Sequence, residues 1–474
     1  MNRNRRDFLK TSGAGIAMSI LPAVLANEGD DTPQKNRPNI LYLHTHDLGR
    51  YCQPYGYAIP TPNMQKLAEA GVLFYNCFSA APTCSPSRAA LLTGQYPHNC
   101  GMLGLAHRGD FRLYDYKHHI IHTLRKAGYY SALIGVQHII DQRSVKEIGY
   151  DEIVPVSHSA ENIAGSAAKW LQNPPKQPFF ASVGFSVTHR EFAKPGPQDD
   201  ARYCRPPEPI PNTPETRYDM ACYKASARIL DKCYGVVLDA LRKNGLDDNT
   251  LVICTTDHGI AFPSMKCNLT DHGTGVALIM RGPGGFTGGK TCDAMISQMD
   301  VFPTVCDILG IDKPDWLQGK SFIPVIRGDA AEINDEVFAE VNYHAAYEPM
   351  RAVRTKRWKY IKRFDNHTTP VLPNCDDGPS KDLWLKSGWK DKTIAQEQLY
   401  DLVFDPIEVN NLTYSIDPQT RKVLDDMRSR LDRWMKATND PLLKGPIVPP
   451  PGAIWRANDP NGLSPQEPPL EIKQ

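Results

Sequence analysis

The chain has 474 residues, and its 54 lysines and arginines nearly balance 53 aspartates and glutamates, which excludes a nucleic-acid binder that relies on a broad basic surface. Hydrophobic residues at 41% and charged residues at 23% exclude a disordered chain. The length allows one large domain and a smaller one.

The chain opens with MNRNRRDFLKTSGAGIAMSILPAVLA, in which Arg5 and Arg6 precede a weakly apolar run ending in small residues near Ala26. Residues 1–26 therefore read as a Tat-type export signal. That implies the Tat machinery as a partner and a periplasmic or secreted mature protein. No later apolar run is long enough to span a bilayer, so the mature protein is expected not to be membrane-embedded. The 12 cysteines are scattered and form no CxxC pair. They are expected to be buried small hydrophobes rather than a disulfide scaffold or a zinc site.

Ordered structure is expected from about Arg37. NILYLHTHD is an apolar run with a polar end, the pattern of a buried strand. TPNMQKLAEAGVLF, TLRKAGYYSALIG and LDALRKNGLDDNTLVICTTDHG each read as a helix followed by a strand, and QPFFASVGFSVTH as another buried strand. Such alternation predicts an α/β/α arrangement with a mostly parallel central sheet. In such sheets ligands sit at the carboxyl ends of the strands. His46 with Asp47, His138, His189, and Asp257 with His258 all fall at those ends. The expected divisions are a catalytic domain over 37–330, a smaller α+β subdomain over 331–440 and a proline-rich tail over 441–474 packed on the surface. Within the subdomain, EVFAEVN, MRAVRTKRWKYIKRF and EQLYDL read as strands, and PQTRKVLDDMRSRLDRWMKAT as a helix.

The stretch PTCSPSRAALLTG, Pro82 to Gly94, carries the chemistry. Ser85 is expected to cap a helix that begins at Pro86 and ends before Gly94. Cys84 then lies at a helix N-terminus, where free N–H groups favour an anion, with Arg88 one turn further on. One reading is a low-pKa thiolate nucleophile. The other is a signal for covalent modification of Cys84.

CSPSRAALLTG resembles the Cys-x-Pro-Ser-Arg-x-x-x-Leu-Thr-Gly signature of type I sulfatases, members of the alkaline phosphatase-like superfamily. RPNILYLHTHDLG, TTDHG, ALIGVQHII, FSVTHRE, GIAFPSMKCNL and QLYDLVFDPIEVNNLT are similar to further segments of that family. CGMLGLAHRG, VTHRE, YEPMRAVRTKRWKYI and WMKATNDP point within it to the N-sulfoglucosamine sulfohydrolase (heparan N-sulfatase) branch.

The resemblance implies that a maturase oxidises Cys84 to formylglycine (3-oxoalanine), whose hydrate attacks sulfur. It implies His46, Asp47, Cys84, Asp257 and His258 around a divalent metal, Ca2+ in the family. His189, with Lys266 as the sulfate-binding cation, would protonate the leaving atom, and His138 would take a proton from the remaining hydroxyl. Arg88 would neutralise sulfate. His107, Arg108, Arg190 and Arg351 are candidate substrate contacts. Two departures stand out: His46 replaces an aspartate, which makes another divalent metal such as zinc or manganese plausible, and Val136 replaces a lysine. The leading expectation is a sulfatase removing sulfamate or sulfate ester groups from a glycosaminoglycan-type saccharide. The alternatives are an O-sulfatase on algal or host polysaccharide, a phosphodiester or phosphonate hydrolase on the same fold, and a non-catalytic binder of sulfated glycans.

Overall fold

Eight strands build the main sheet: β1 (Asn39–Thr45), β2 (Val72–Phe74), β3 (Tyr130–Gly135), β4 (Glu152–Val154), β5 (Phe179–Gly184), β6 (Thr250–Thr256), β7 (Leu278–Arg281) and β8 (Lys290–Cys292). They lie in the order β4-β3-β5-β1-β6-β7-β2-β8. All pairs are parallel except those of β7, which runs against both of its neighbours. The computed structural model describes residues 37–108 and 111–452, so the export signal lies outside the described residues.

All seven residues of β1 are buried, because its side chains feed two cores alternately. Ile40 and Tyr42 meet α2 (Cys84–Thr93), α3 (Ile120–Lys126) and α6 (Val301–Leu309) through Leu91, Leu92, Ile121, Leu124, Phe302 and Val305. Leu41 and Leu43 meet α1 (Pro62–Ala70), α4 (Ala160–Trp170) and α5 (Pro214–Lys243) through Met64, Leu67, Ile163, Leu230 and Leu241. A parallel sheet covered on both faces has no polar side, which is why its strands read as continuous apolar runs. The expected α/β/α layering is what forms.

A second sheet follows: β9 (Val337–Tyr343), β10 (Tyr347–Arg354), β11 (Trp358–Arg363) and β12 (Glu397–Asp401), antiparallel in that order. MRAVRTKRWKYIKRF thus folds as a hairpin and contributes two strands. Between β11 and β12 lies α7 (Pro379–Lys386), which the sequence pattern did not announce. The final helix, α8 (Pro418–Ala437), is capped by Asp417, whose Oδ2 accepts from the Thr420 amide at 2.8 Å. Its Leu424, Met427, Leu431 and Trp434, at helical spacing, cover Val353, Tyr360 and Leu399 on one face of the sheet. The opposite face, with Ala339, Val341 and Ile361, packs on Leu269. Residues from Pro38 onward group into one compact unit, so this sheet is docked and not tethered.

The proline-rich tail begins as a packed arm. Tyr343 Oη donates to the Ile447 carbonyl at 2.6 Å, and the Ile447 amide donates to Tyr347 Oη at 2.9 Å. All 12 cysteines are free thiols, and all but Cys222 are buried. Among the described residues no helix is long and apolar enough to cross a membrane.

Candidate active site

Four adjacent parallel strands, β3, β5, β1 and β6, end side by side, and the chain leaves each through polar residues. His138 follows β3, His189 follows β5, His46 and Asp47 follow β1, and Asp257 and His258 follow β6. Asp47 (φ 48°) and His138 (φ 61°) sit in the left-handed region, which non-glycine residues seldom occupy outside functional sites.

Cys84 enters this row from α2. The helix starts at Cys84 itself, with Thr83 as its cap residue, so the expected start at Pro86 is corrected by two residues. Ser85 does not cap the helix; its Oγ accepts from the Ala106 amide at 3.0 Å and so ties α2 to the loop that carries His107. Gly94 ends the helix at φ 68°, and a Cβ there would lie 2.4 Å from Leu317. Cys84 is buried, and its Sγ lies 3.2 Å from His258 Nε2. Burial pushes the Cys84 thiol up, against the pull of Lys266. That burial counts against the thiolate reading, because desolvation works against the helix terminus and the cations.

Asp257 is the hub. Its Oδ1 accepts from the amides of Asp47 (2.9 Å) and His258 (3.0 Å). Its Oδ2 accepts from Arg88 Nε (3.2 Å) and Nη2 (3.0 Å) and lies 3.1 Å from His46 Nδ1. Burial alone would raise this carboxyl, but His258, Arg88 and His46 hold it well below the usual carboxylate range. Arg88 is fixed further by donating to the Thr45 carbonyl (2.8 Å) and to His44 Nδ1 (2.6 Å), while His44 Nε2 reaches Ser182 (3.1 Å). His44 therefore positions Arg88, a structural role that fits its lack of a place in the site.

His46, Asp47, Cys84 and Asp257 each bring one ligand atom within 4.8 Å of the other three, and all four are buried. His46 Nδ1 and Asp47 Oδ1 have no hydrogen-bond partner. His258 Nδ1 donates to the Gly259 carbonyl (2.9 Å), which turns Nε2 toward Asp47 Oδ1 (3.4 Å) and Asp257 Oδ1 (3.7 Å). A backbone carbonyl that fixes the imidazole tautomer in this way prepares a metal ligand. Burial, aided by Arg88, lowers His46 to about 4, so it offers a neutral nitrogen.

The wall opposite is made of imidazoles and a lysine. His138 Nε2 pairs with His107 Nδ1 at 2.8 Å, the two rings stacked 5.0 Å apart. One ring nitrogen of His138 lies within 4.8 Å of Cys84 Sγ and of a His46 nitrogen. Burial, then His46 and His107, hold His138 well below the usual imidazole range, so it is a neutral base. His189 donates from Nδ1 to the Arg190 carbonyl at 2.5 Å and turns Nε2 to Lys266 Nζ at 3.3 Å. Lys266 is buried between Asp47 Oδ2 (2.9 Å) and Asp376 Oδ2 (2.8 Å). Burial would lower its ammonium, but Asp376 and Asp47 hold it well above the usual lysine value.

The profile of the family described as "Sulfatase" matches residues 38–311, more than half of the chain. The chain belongs to the sulfatase family. A second profile, "N-sulphoglucosamine sulphohydrolase, C-terminal", matches residues 266–381 of this sulfatase. The sulfatase is 29% identical to human N-sulphoglucosamine sulphohydrolase over 465 residues, covering 86% of this chain and 92% of that one. It is 30% identical to an ulvan-active sulfatase of Formosa agariphila over 441 residues, with 88% and 84% covered. Its fold matches a solved structure in complex with its substrate D-glucosamine-2-N,6-O-disulfate, with a TM-score of 0.68, 19% identity, and 85% and 98% of the two chains covered.

Not every nominated residue reaches the sulfatase site. Arg351 is corrected: it is fully buried, bidentate to Asp440 (2.5 and 3.0 Å), 3.2 Å from Glu340 and bonded to Asn342 (2.9 Å). Its position is a charge cluster between the main unit and the second sheet, closed to substrate. Arg190 is corrected likewise: its guanidinium forks onto Asp219 (2.8 and 2.7 Å), donates to the Ala261 carbonyl (2.8 Å) and lies over Phe192. Arg108 stays at the site's edge, where its charge acts on His107 and His344. Val136 carries no charge, and its amide continues the pairing of β3 to Gly184 at 3.0 Å.

The structure also adds residues that sequence inspection passed over. Asp376 sits in the loop before α7, and His344 just after β9, a buried imidazole whose Nδ1 has no hydrogen-bond partner. Neither lies at the end of a strand of the main sheet, and the only signal available was that an Asn-Cys-Asp-Asp-Gly run sat in an otherwise unassigned stretch.

Proposed function

We propose that this sulfatase hydrolyses sulfamate or sulfate ester groups on a sulfated saccharide, with N-sulfated glucosamine first among substrates. The observation that carries the reading is Cys84. It stands at the start of α2, buried and unsuited to act as a thiolate, amid four buried ligands, an arginine, a lysine and two histidines suited to proton transfer. Similarity to the human N-sulphoglucosamine sulphohydrolase over most of both chains supports the substrate class.

Cys84 is proposed as the precursor of formylglycine, whose hydrate supplies the oxygen nucleophile. His46, Asp47, Asp257 and His258 would hold a divalent cation, which lends Lewis acidity to sulfate oxygens. The set of two carboxylates and two imidazoles is less suited to Ca2+, which prefers oxygen ligands, than to zinc or manganese. Arg88, fixed by Asp257, Thr45 and His44, presents a permanent charge beneath residue 84. Lys266 binds a sulfate oxygen. His189 delivers a proton to the leaving nitrogen or oxygen, and His138 removes one from the side chain of residue 84. Each such group contributes roughly 10²–10⁴ in rate. Export by the Tat route and a maturase partner belong to this reading.

Incubation of matured enzyme with a panel of N- and O-sulfated disaccharides should release inorganic sulfate, and a peptide spanning residue 84 should be lighter by about 18 Da, the thiol-to-aldehyde change. Release of none by enzyme whose modification is verified sinks the proposal. O-desulfation of an algal polysaccharide is the second reading, favoured by the 30% identity to the ulvan-active relative. The same panel, extended to ulvan fragments, separates the two. An aryl phosphate turned over faster than an aryl sulfate would point instead to phosphodiester chemistry, and tight binding without turnover to a lectin-like role.

A further inference from the structure

Asp376 poses a question of charge. A site built to hold a sulfate gathers cations, yet this carboxylate lies 2.8 Å from Lys266, the cation nearest the general acid. Lys266 already has a counter-ion in Asp47 at 2.9 Å, so neutralising the buried ammonium does not require a second one. A further negative charge beside the sulfate position weakens anion binding unless it serves another group of the substrate.

The carboxylate is held there by construction. It belongs to the second-sheet unit, in the loop of residues 374–378 that leads into α7. Asn374 bonds to the Ala346 amide (2.8 Å) and to Glu348 (2.8 Å), which locks the loop to the turn bearing His344. Lys381 donates to the Cys375 carbonyl (2.6 Å) and to Asp377 (2.9 Å). A Cβ on Gly378 would lie 2.2 Å from Arg190 Nη1, and Asp219, the partner of Arg190, also accepts from the Ser380 amide at 3.2 Å. The Arg190–Asp219 pair thus braces the loop. Asp376 is therefore fixed next to Lys266, and Lys266 Nζ is 3.3 Å from His189 Nε2, the atom that delivers the proton to the leaving group.

We infer that Asp376 reads the leaving atom and favours nitrogen over oxygen, making it the residue that selects N-sulfated amino sugars over O-sulfated ones. The inference rests on the function proposed above. When a sulfamate is cleaved, the nitrogen lone pair first takes the proton from His189 and the nitrogen becomes positively charged; the S–N bond then breaks as sulfur bonds to the oxygen nucleophile of residue 84, and the bonding pair returns to nitrogen as a neutral amine. The released amine then takes a second proton from water and becomes an ammonium. Positive charge grows on nitrogen along this path and a fixed carboxylate stabilises it. When a sulfate ester is cleaved, negative charge grows on oxygen, and the same carboxylate opposes it.

The experiment compares wild-type enzyme and Asp376→Asn on N-sulfated and 6-O-sulfated glucosamine, and measures inhibition by unsulfated glucosamine and by N-acetylglucosamine. Wild-type enzyme should prefer the N-sulfate, and glucosamine should inhibit better than N-acetylglucosamine. In D376N both preferences should fall by about 10- to 100-fold, the range of a lost charge-assisted hydrogen bond. If Asp376 serves only to position Lys266, both sulfated substrates lose rate in parallel and inhibition by glucosamine does not move; that result overturns the inference. A wild-type enzyme that turns over only O-sulfates, or is inhibited equally by the two unsulfated sugars, overturns it as well, without needing the variant to fold. Failure of the wild type on every sulfated sugar would instead refute the proposed function.

Discussion

Replacing Lys266 with methionine shortens the side chain by one atom, keeps most of its apolar stem and deletes its charge. The ammonium lies 2.9 Å from Asp47 Oδ2 and 2.8 Å from Asp376 Oδ2, and the lysine is buried. At an effective dielectric of about 20 each pair amounts to about 6 kcal/mol of gross attraction, most of which offsets the desolvation of the charges. What remains visible is the penalty of leaving two carboxylates facing each other without a cation, about 3–5 kcal/mol for a buried pair broken on one side. Urea unfolding of metal-depleted protein reads that loss. Under the proposed function the same substitution also removes a donor for the sulfate oxygens, a change worth roughly 10²–10³ in kcat where charge is stabilised in a buried site. Sulfate release from an N-sulfated disaccharide should therefore fall at least ~100-fold in kcat/KM. Lys266→Arg, which restores the charge with a different geometry, should recover part of it. A methionine variant as stable as wild type and equally fast would refute the electrostatic account of this site.

The proposed metal donors, His46, Asp47, Asp257 and His258, give a second test. His46→Asp converts one of the two imidazoles of that proposed set to a carboxylate and should shift preference towards Ca2+ and away from Zn2+, read by metal titration of protein also carrying Cys84→Ala. Arg351→Met should lower stability by about 3–5 kcal/mol, since Asp440 loses its buried cation and Glu340 is left with His98 alone, while KM for the disaccharide stays put at a temperature where the variant is folded. A raised KM with unchanged stability would return Arg351 to the substrate. Acid should destabilise the metal-free protein. Burial holds His46 at about 4, below the 6.5 of a free imidazole, so the unfolded chain binds more protons and stability rises with pH between about 4 and 6.5. Urea midpoints that stay flat across that window would contradict this.

Much of the site was legible because its residues occupy positions that local patterns expose. An apolar run ending in His46 and Asp47, or in Asp257 and His258, announces a buried parallel strand and its carboxyl end together. Cys84 and Gly94 could be placed at the two ends of one helix and Arg88 within it, although its first turn was set two residues late, since the Ser-Pro pair suggested a cap that the structure gives to Thr83. Arg190 and Arg351 were misplaced for a different reason: a sequence shows that an arginine is present, but not that Asp219 or Asp440 waits to receive it.

By itself, the sequence determined the layered fold, the four strand ends and the cysteine in its signature, because periodicity and short motifs are local properties. Only the tertiary structure decided that Asp376 and His344, from a unit built by a separate antiparallel sheet, close over Lys266. It also decided that burial outweighs the helix terminus at Cys84, and that His107 rests on His138. Desolvation and Coulomb attraction depend on distances between residues far apart in the chain, and those distances exist only once the sheets are packed.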